Sequence, residues 1–358
     1  MGKMNNTNRY FYKDKPIFGL DIGFSSLKVI QLGQHSHKLK VTGYGSIDFD
    51  PTAIVDGIIK EPDLVAKATQ KLFSENIIGE INTRRVAMAI PASRTFTRTV
   101  RLPKLKTKDL AEAVRLEAEQ YIPVPLNELY MNHDVIEQTD KETIVLAVAV
   151  PKKIVDSYMD LTRILGLEVV AIETTIASSS RLFVQAENSD VPTVLIDFGS
   201  VSTDITIYDK TIVVTGNLAG GGDSFTNSIS RALRVNRSEA LVIKTKYGLG
   251  VSKKQKEITE SLTPFLEQLL KEIKRMIRYY EDRNNNQRKV AQIVTMGGGA
   301  NLPGLTEYLT SHLRRPVRMC DTWQNIKFSG LQKPSSSEKA VFVTVTGLAI
   351  LQPKEIFS

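Results

Sequence analysis

The stretch Ile17-Phe-Gly-Leu-Asp21-Ile-Gly23-Phe-Ser25-Ser26-Leu-Lys28-Val-Ile30 decides the fold, because its pattern returns. About half a chain later the sequence reads Val194-Leu-Ile-Asp197-Phe-Gly199-Ser200-Val-Ser202-Thr203-Asp204-Ile205. Each copy is an apolar strand, then Asp-x-Gly, then small hydroxyl residues, then a second strand. A single turn of this kind is an ordinary hairpin; two copies on matching strands predict two similar lobes. Glycine lets backbone amides approach an anion with no Cβ in the way. Consecutive amides and hydroxyls then cradle phosphate oxygens, which points to Gly23, Ser25, Ser26, Gly199, Ser202 and Thr203. A carboxylate repels phosphate, so Asp21 and Asp197 are read as holding the water shell of Mg2+, an ion that keeps several waters when bound. Lys28 returns along the second strand as a point charge on a phosphate.

Three further features point to the same chemistry. Gly297-Gly298-Gly299-Ala300-Asn-Leu-Pro303-Gly304 follows an apolar strand over 290–296 and precedes a helix over 305–313. That glycine run offers a flat backbone surface for a nucleoside. Gly220-Gly221-Gly222-Asp223 opens a helix at Ser224, and a helix N-terminus favours an anion. Glu173 ends a strand over 169–173, just before a helix of small residues over 176–184 that joins the two lobes.

Helical spacing appears over 62–75, 107–121, 151–165, 263–282 and 340–351. Thr107 is read as the cap of its helix, with Leu110, Val114, Ala118 and Tyr121 on one stripe; Pro151 opens the next helix, a usual place for proline. Strands are expected over 86–90, 95–102, 129–137 and 143–150. Along 95–102 the residues Phe96, Arg98, Val100 and Leu102 alternate with polar neighbours, the mark of a half-buried strand. Residues 92–167 thus form a compact insert. The expected organisation is a disordered leader over 1–15, a first lobe over 16–91 and 168–190, and the insert at 92–167. A second lobe covers 191–330, with a helical subdomain over about 224–290, and 331–358 returns to the first lobe. The fold class is α/β.

The 358 residues suffice for two or three domains at roughly 100–200 residues each. Apolar residues at 42% and charged residues at 24% exclude disordered and disulfide-stapled classes. The longest apolar run, 341–351, falls short of the about 20 residues a membrane helix needs. The polar N-terminus is no signal peptide. A lone cysteine, Cys320, fits a reducing cytosol. His35 and His37 read as a solvated turn rather than a metal site. The net charge of +8 is dispersed and belongs to no nucleic-acid module, so no nucleic-acid partner is expected. Lys253, Lys254 and Lys256, the densest basic cluster, read as a solvated loop.

Two phosphate hairpins, a connecting helix after Glu173 and a triple-glycine nucleoside motif, in this order, resemble the actin-like ATPase superfamily over about residues 17–351. That resemblance implies the two-lobe ribonuclease H-like fold with ATP and Mg2+ between the lobes. It places Glu173 where the family orients the attacking water. The strand–helix–strand–strand insert resembles the FtsA and PilM branch. Glu117-Ala-Glu-Gln-Tyr121-Ile-Pro123-Val-Pro125, Glu272-Ile-Lys274-Arg275 and Tyr279-Tyr280 read like the PilM family of type IV pilus assembly. Lys274 and Arg275 are thereby implied as nucleotide contacts. Glu239 and Lys244 stand five apart where the family has Ala-Glu-x-x-Lys. The resemblance implies a cytoplasmic protein held at the inner face of the membrane by the N-terminal peptide of a PilN-like protein. Other pilus components and self-association are the remaining expected partners, with nucleotide as a clamp and slow hydrolysis or none. An FtsA-like filament-forming division protein is the alternative; no feature points to a kinase substrate, and no length remains for a chaperone's peptide domain.

Overall fold

The computed structural model describes residues 15–35, 38–187, 190–284 and 287–351. The expected leader before Lys15, the His35 and His37 side chains, the start of the 188–192 linker and the tail from residue 352 lie outside the described residues. So does the Thr107 side chain; the backbone places Lys106 at the cap and Thr107 in the first turn.

The first lobe opens with β1 (Phe18–Ile22), β2 (Ser26–His35) and β3 (Lys38–Asp48), joined antiparallel. Every residue of β1 is buried, which marks the middle of a sheet covered on both faces. Helix α1 (Pro62–Glu75) turns Val65, Thr69 and Leu72 inward at helical spacing, with proline in its first turn. Strand β4 (Arg85–Ile90) then runs parallel to β1.

The insert follows as β5 (Phe96–Pro103), α2 (Thr107–Glu119), β6 (Leu129–Gln138) and β7 (Glu142–Pro151). Its antiparallel sheet has the order β5-β7-β6. Val145 and Ala147 of β7 meet Leu110 and Val114 of α2 in a small separate core. Helix α3 (Lys152–Leu165) begins after Pro151 and ends at Gly166, whose φ of +63° supplies a left-handed C-terminal turn. Its stripe of Ile154, Tyr158 and Leu161 joins Phe18, Leu20 and Val65 in the first-lobe core. The insert therefore ends at Pro151 and not at residue 167. Strand β8 (Glu168–Thr174) completes the order β8-β4-β1-β2-β3, with Ile326–Lys327 and Ile78–Gly79 on β3. Helix α4 (Thr175–Glu187) leads out of this lobe.

The second lobe repeats the theme with β9 (Thr193–Phe198), β10 (Ser202–Asp209) and β11 (Thr211–Ala219). Helices α5 (Gly222–Leu233), α6 (Arg237–Lys246) and α7 (Gln255–Arg283) follow. Strand β12 (Gln292–Met296), helix α8 (Leu305–Leu313) and β13 (Val317–Met319) finish the order β11-β10-β9-β12-β13. Helix α7 starts well before Thr263, because Ile258 and Leu262 extend its buried stripe. Pro264 removes one backbone bond, and the buried apolar face outweighs that loss. Lys256 accordingly lies in the first turn of α7, not in a loop, and all three lysines of that cluster remain exposed or half-exposed.

Helix α9 (Val343–Ala349), buried along its whole length, crosses α4 and lies over β1. Gly347 makes the crossing possible: a Cβ there would clash with the Ser178 backbone of α4. Ser178 Oγ donates to the Thr344 carbonyl at 2.6 Å across the same crossing. The chain's single tryptophan, Trp323, is buried beside Phe328 and Phe342 in the core under this segment.

Candidate functional site

The two hairpins superimpose in register. Asp21 faces Lys28 across β1–β2, and Asp197 faces Asp204 across β9–β10. Each turn is closed by the same bond, from the Gly23 amide to the Ser26 carbonyl at 2.9 Å and from the Gly199 amide to the Ser202 carbonyl at 3.0 Å. The amides of Phe24 and Ser25, and at the matching positions of Ser200 and Val201, have no acceptor among the described residues. Two pairs of consecutive open amides are the donor set that cradles an anion. Both turns face one cleft of about 460 Å3 between the lobes.

The cleft is lined by Asp21, Gly23, Ser25, Ser26 and Lys28 from the first hairpin and by Asp197, Gly199 and Ser202 from the second. Gly222 and Gly297, Gly298 and Gly299 add flat backbone. Gly297, at φ +80°, lies so close to Asp197 Oδ1 that a Cβ would clash with it. A Cβ at Gly221 would likewise clash with the Gly199 carbonyl. These glycines are required by close approach of backbone to backbone. The start of α5 is stitched to the second hairpin, with the Gly222 and Asp223 amides donating to the Gly199 and Ser200 carbonyls at 2.9 Å each. Its contribution to an anion is therefore the helix dipole rather than those two amides.

The charges in the cleft are unequal in the two halves. Lys28 Nζ lies 3.5 Å from Asp21 Oδ2 and 3.0 Å from Ser26 Oγ. Opposite Asp197 the second hairpin offers another carboxylate. Burial first, then the Asp204 and Asp21 charges, push the Asp197 carboxyl up to about 7, with Lys28 opposing. Burial raises Asp204 to about 6, offset by the Asn217 amide donating to it at 2.6 Å. Three carboxylates facing one buried space, two of them pushed up, form a site short of positive charge.

Several residues singled out in the sequence stand elsewhere. Glu173 is outside the cleft lining: both its carboxylate oxygens are 2.6 Å from the Arg181 guanidinium, eight residues on along α4. Lys274 and Arg275 sit on the exposed face of α7, and Arg275 pairs with Glu272. The stripe Ile273, Met276, Ile277 and Tyr280 faces the core, so the positions between them turn to solvent. Thr203 is fully buried and its hydroxyl donates to the Gly220 carbonyl at 2.9 Å, holding the glycine loop. Gly221 acts beneath the lining through its contact with Gly199. The structure adds Asp204, Lys244, Leu241, Asn301, Ser337, Ala340 and Val341 to the cleft. Lys244 Nζ donates to the Gly222 carbonyl at 2.9 Å, and burial lowers its pKa. The register of the second hairpin was the available signal for Asp204.

Two lobes with matching hairpins closing on one cleft define the actin-like ATPase fold. A solved chain described as a PilM–PilN type IV pilus biogenesis complex matches with TM-score 0.81 and 23% identity, covering 96% of this chain and 99% of that one. MreB 5 of Spiroplasma citri, solved bound to AMPPNP, matches with TM-score 0.53 and 14% identity, covering 93% and 95%. The cell division protein FtsA of Streptococcus pneumoniae serotype 2 (strain D39) is 24% identical over 330 residues, 81% of this chain and 72% of FtsA. The family model of the type IV pilus assembly protein PilM matches residues 19–352, and the chain belongs to that family. Of the two branches that the insert resembles, the family match gives the pilus one. Among the described residues no helix is long and apolar enough to cross a membrane.

Proposed function

We propose that the protein is a nucleotide-gated scaffold of type IV pilus assembly, holding Mg-ATP between its lobes and a PilN-like cytoplasmic segment on its insert. The observation that carries the nucleotide reading is the pair of matching turns that line one cleft, each with two amides lacking an acceptor among the described residues. Gly23, Ser25, Ser26 and Lys28 hold one phosphate group; Gly199, Ser200 and Ser202 hold the next. The Gly297–Gly299 backbone, Leu241 and Lys244 flank the nucleoside. Among the described residues no side-chain cluster forms a metal cage by itself. The donor set suits an ion bound jointly by carboxylates, phosphate oxygens and water, and Asp21 and Asp197 with Asp204 behind them are the groups that hold it. Mg2+ bound there would neutralise the phosphate charge beside the carboxylates.

Binding one ligand to both hairpins draws the lobes together, and the nucleotide shifts the open–closed equilibrium by its difference in affinity for the two states. Glu173 is committed to Arg181, so no glutamate orients water at the end of β8. That supports a clamp with slow hydrolysis or none. For the partner, an open groove of about 520 Å3 runs between β6 of the insert and α3 of the first lobe, lined by Tyr130, Val155, Asp156, Met159, Asp160 and Arg163. Among the described residues β6 is an edge strand, partnered by β7 alone, and an extended peptide can add to such an edge while side chains fill the groove. A PilN-like segment docked there would keep the protein at the inner face of the membrane.

Isothermal titration tests the nucleotide site: Asp197→Ala abolishes Mg-ATP binding, and unchanged affinity in that variant would sink the assignment. Fluorescence anisotropy with N-terminal peptides of candidate pilus membrane proteins tests the partner. Saturable binding that Tyr130→Ala removes supports it; ATP-dependent filaments with no peptide binding would favour the FtsA-like role.

A further inference from the structure

The insert has a second edge, and it is built differently. Strand β5 lies alongside β11 of the second lobe, yet no backbone ladder joins them among the described residues. Two threonines bridge the gap instead: Thr99 Oγ1 donates to the Ile212 carbonyl at 2.9 Å and Thr215 Oγ1 to the Thr97 carbonyl at 3.1 Å. Over this seam opens a groove of about 380 Å3. Its insert wall carries Phe96, Arg98 and Tyr121; its second-lobe wall carries Tyr279 and Arg283.

Arg98 breaks a rule of its own strand. It shares a face with the buried Val100 and Leu102, where an apolar residue belongs. Its guanidinium lies 4.5 Å from the centroid of the Tyr121 ring. Arg283 repeats the arrangement on α7, 5.9 Å from the Tyr279 centroid and donating to Tyr279 Oη at 2.7 Å. Neither arginine forms an ion pair among the described residues. Two arginines, Arg98 over the Tyr121 ring and Arg283 at the Tyr279 hydroxyl, face one groove from opposite lobes with no carboxylate paired to them among the described residues. The carboxylate that also lines it, Asp204, is half-buried and accepts from the Asn217 amide at 2.6 Å.

We propose that this groove docks an extended acidic segment of a partner protein. Its carboxylates would pair with Arg98 and Arg283, whose planar forks suit bidentate bonding, while its backbone lies over the bridged seam between β5 and β11. The chain's own N-terminal stretch is no candidate, since Lys3, Arg9 and Lys13 give it the wrong charge. The groove lies on the opposite edge of the insert sheet from the one proposed for the PilN-like segment, and the proposal does not depend on nucleotide binding.

The probe is a short fluorescein-labelled peptide of alternating threonine and glutamate, with a threonine–lysine peptide as its counterpart. Anisotropy is expected to show saturable binding of the acidic peptide alone, weakened about ten-fold or more in Arg98→Gln and Arg283→Gln and by added salt. Both side chains are exposed, so unchanged thermal melts are expected to exclude unfolding as the cause. Tyr130→Ala, on the other edge, leaves this binding intact. Absence of saturable binding, equal binding of the two peptides, or unaltered affinity in both arginine variants would overturn the proposal. Displacement of the peptide by an equal concentration of oligothymidine would overturn it too, in favour of a nucleic-acid surface.

Discussion

Lys28 and Asp204 occupy the same place in two copies of one hairpin, and they make the halves of the cleft chemically unlike. Lys28 brings the charge that phosphate needs. Its replacement by alanine removes a charge-assisted contact, and roughly ten-fold or more of Mg-ATP affinity is expected to go with it. Lys274→Ala and Arg275→Ala, on the solvent face of α7, leave that affinity within about two-fold. Isothermal titration of the three variants separates them. Asp204 and Asp197 make a prediction about stability. A carboxyl whose folded pKa lies above its unfolded value of 3.8 gives up stability as pH rises toward the folded value, here about 6 and about 7. The nucleotide-free protein should therefore lose melting temperature between about pH 4 and 7 from this pair, and Asp204→Asn should flatten part of that fall. A slope identical to the wild type's would show that the pair does not titrate as described. The sequence displayed the Asp-x-Gly turns but not these roles. Which residue stands opposite Asp197 depends on strand register, and a position between a strand and a helix does not reveal that Arg181 will pair with the Glu173 carboxylate.

At the scale of elements, punctuation decided what was legible. Helices over 62–75 and 305–313 were bounded correctly because Pro62 and Gly304 mark their starts. The start of α7 was hidden by Pro264, and α3 looked like part of the insert because a stripe of apolar residues does not say which core it enters. The crossing of α4 and α9 was not legible at all, since nothing local announces that Gly347 will meet Ser178. That crossing yields a firm expectation. Gly347→Ala puts a methyl against backbone that has little room to shift, and overpacking of this kind costs about 1–3 kcal/mol. At about 1.3 °C per kcal/mol for a chain of 358 residues, the melting temperature should drop by about 1–4 °C. A variant melting like the wild type would mean that the helices slide apart at no cost.

Across the whole molecule, the insert touches both lobes: through α3 to the first and through the Thr99 and Thr215 bridges to the second. β11 runs on from the bridged edge into the glycine loop at Gly220, so the seam and the cleft share one strand. Replacing both threonines by valine keeps the shape and removes both bonds. Hydrogen exchange over 96–103 and 211–219 should then quicken, and the slowing by Mg-ATP that is expected in the wild type should be lost. Equal protection in the two proteins would show that the bridges carry nothing between lobe and insert. Trp323 gives the molecule one more property. It is the only indole in the chain, sealed between Phe328 and Phe342, on the segment that goes on to supply Ala340 and Val341 to the cleft wall. The protein thus carries a single built-in indole, so its tryptophan emission reports on one place, the segment that runs into the cleft wall, without any dye attached.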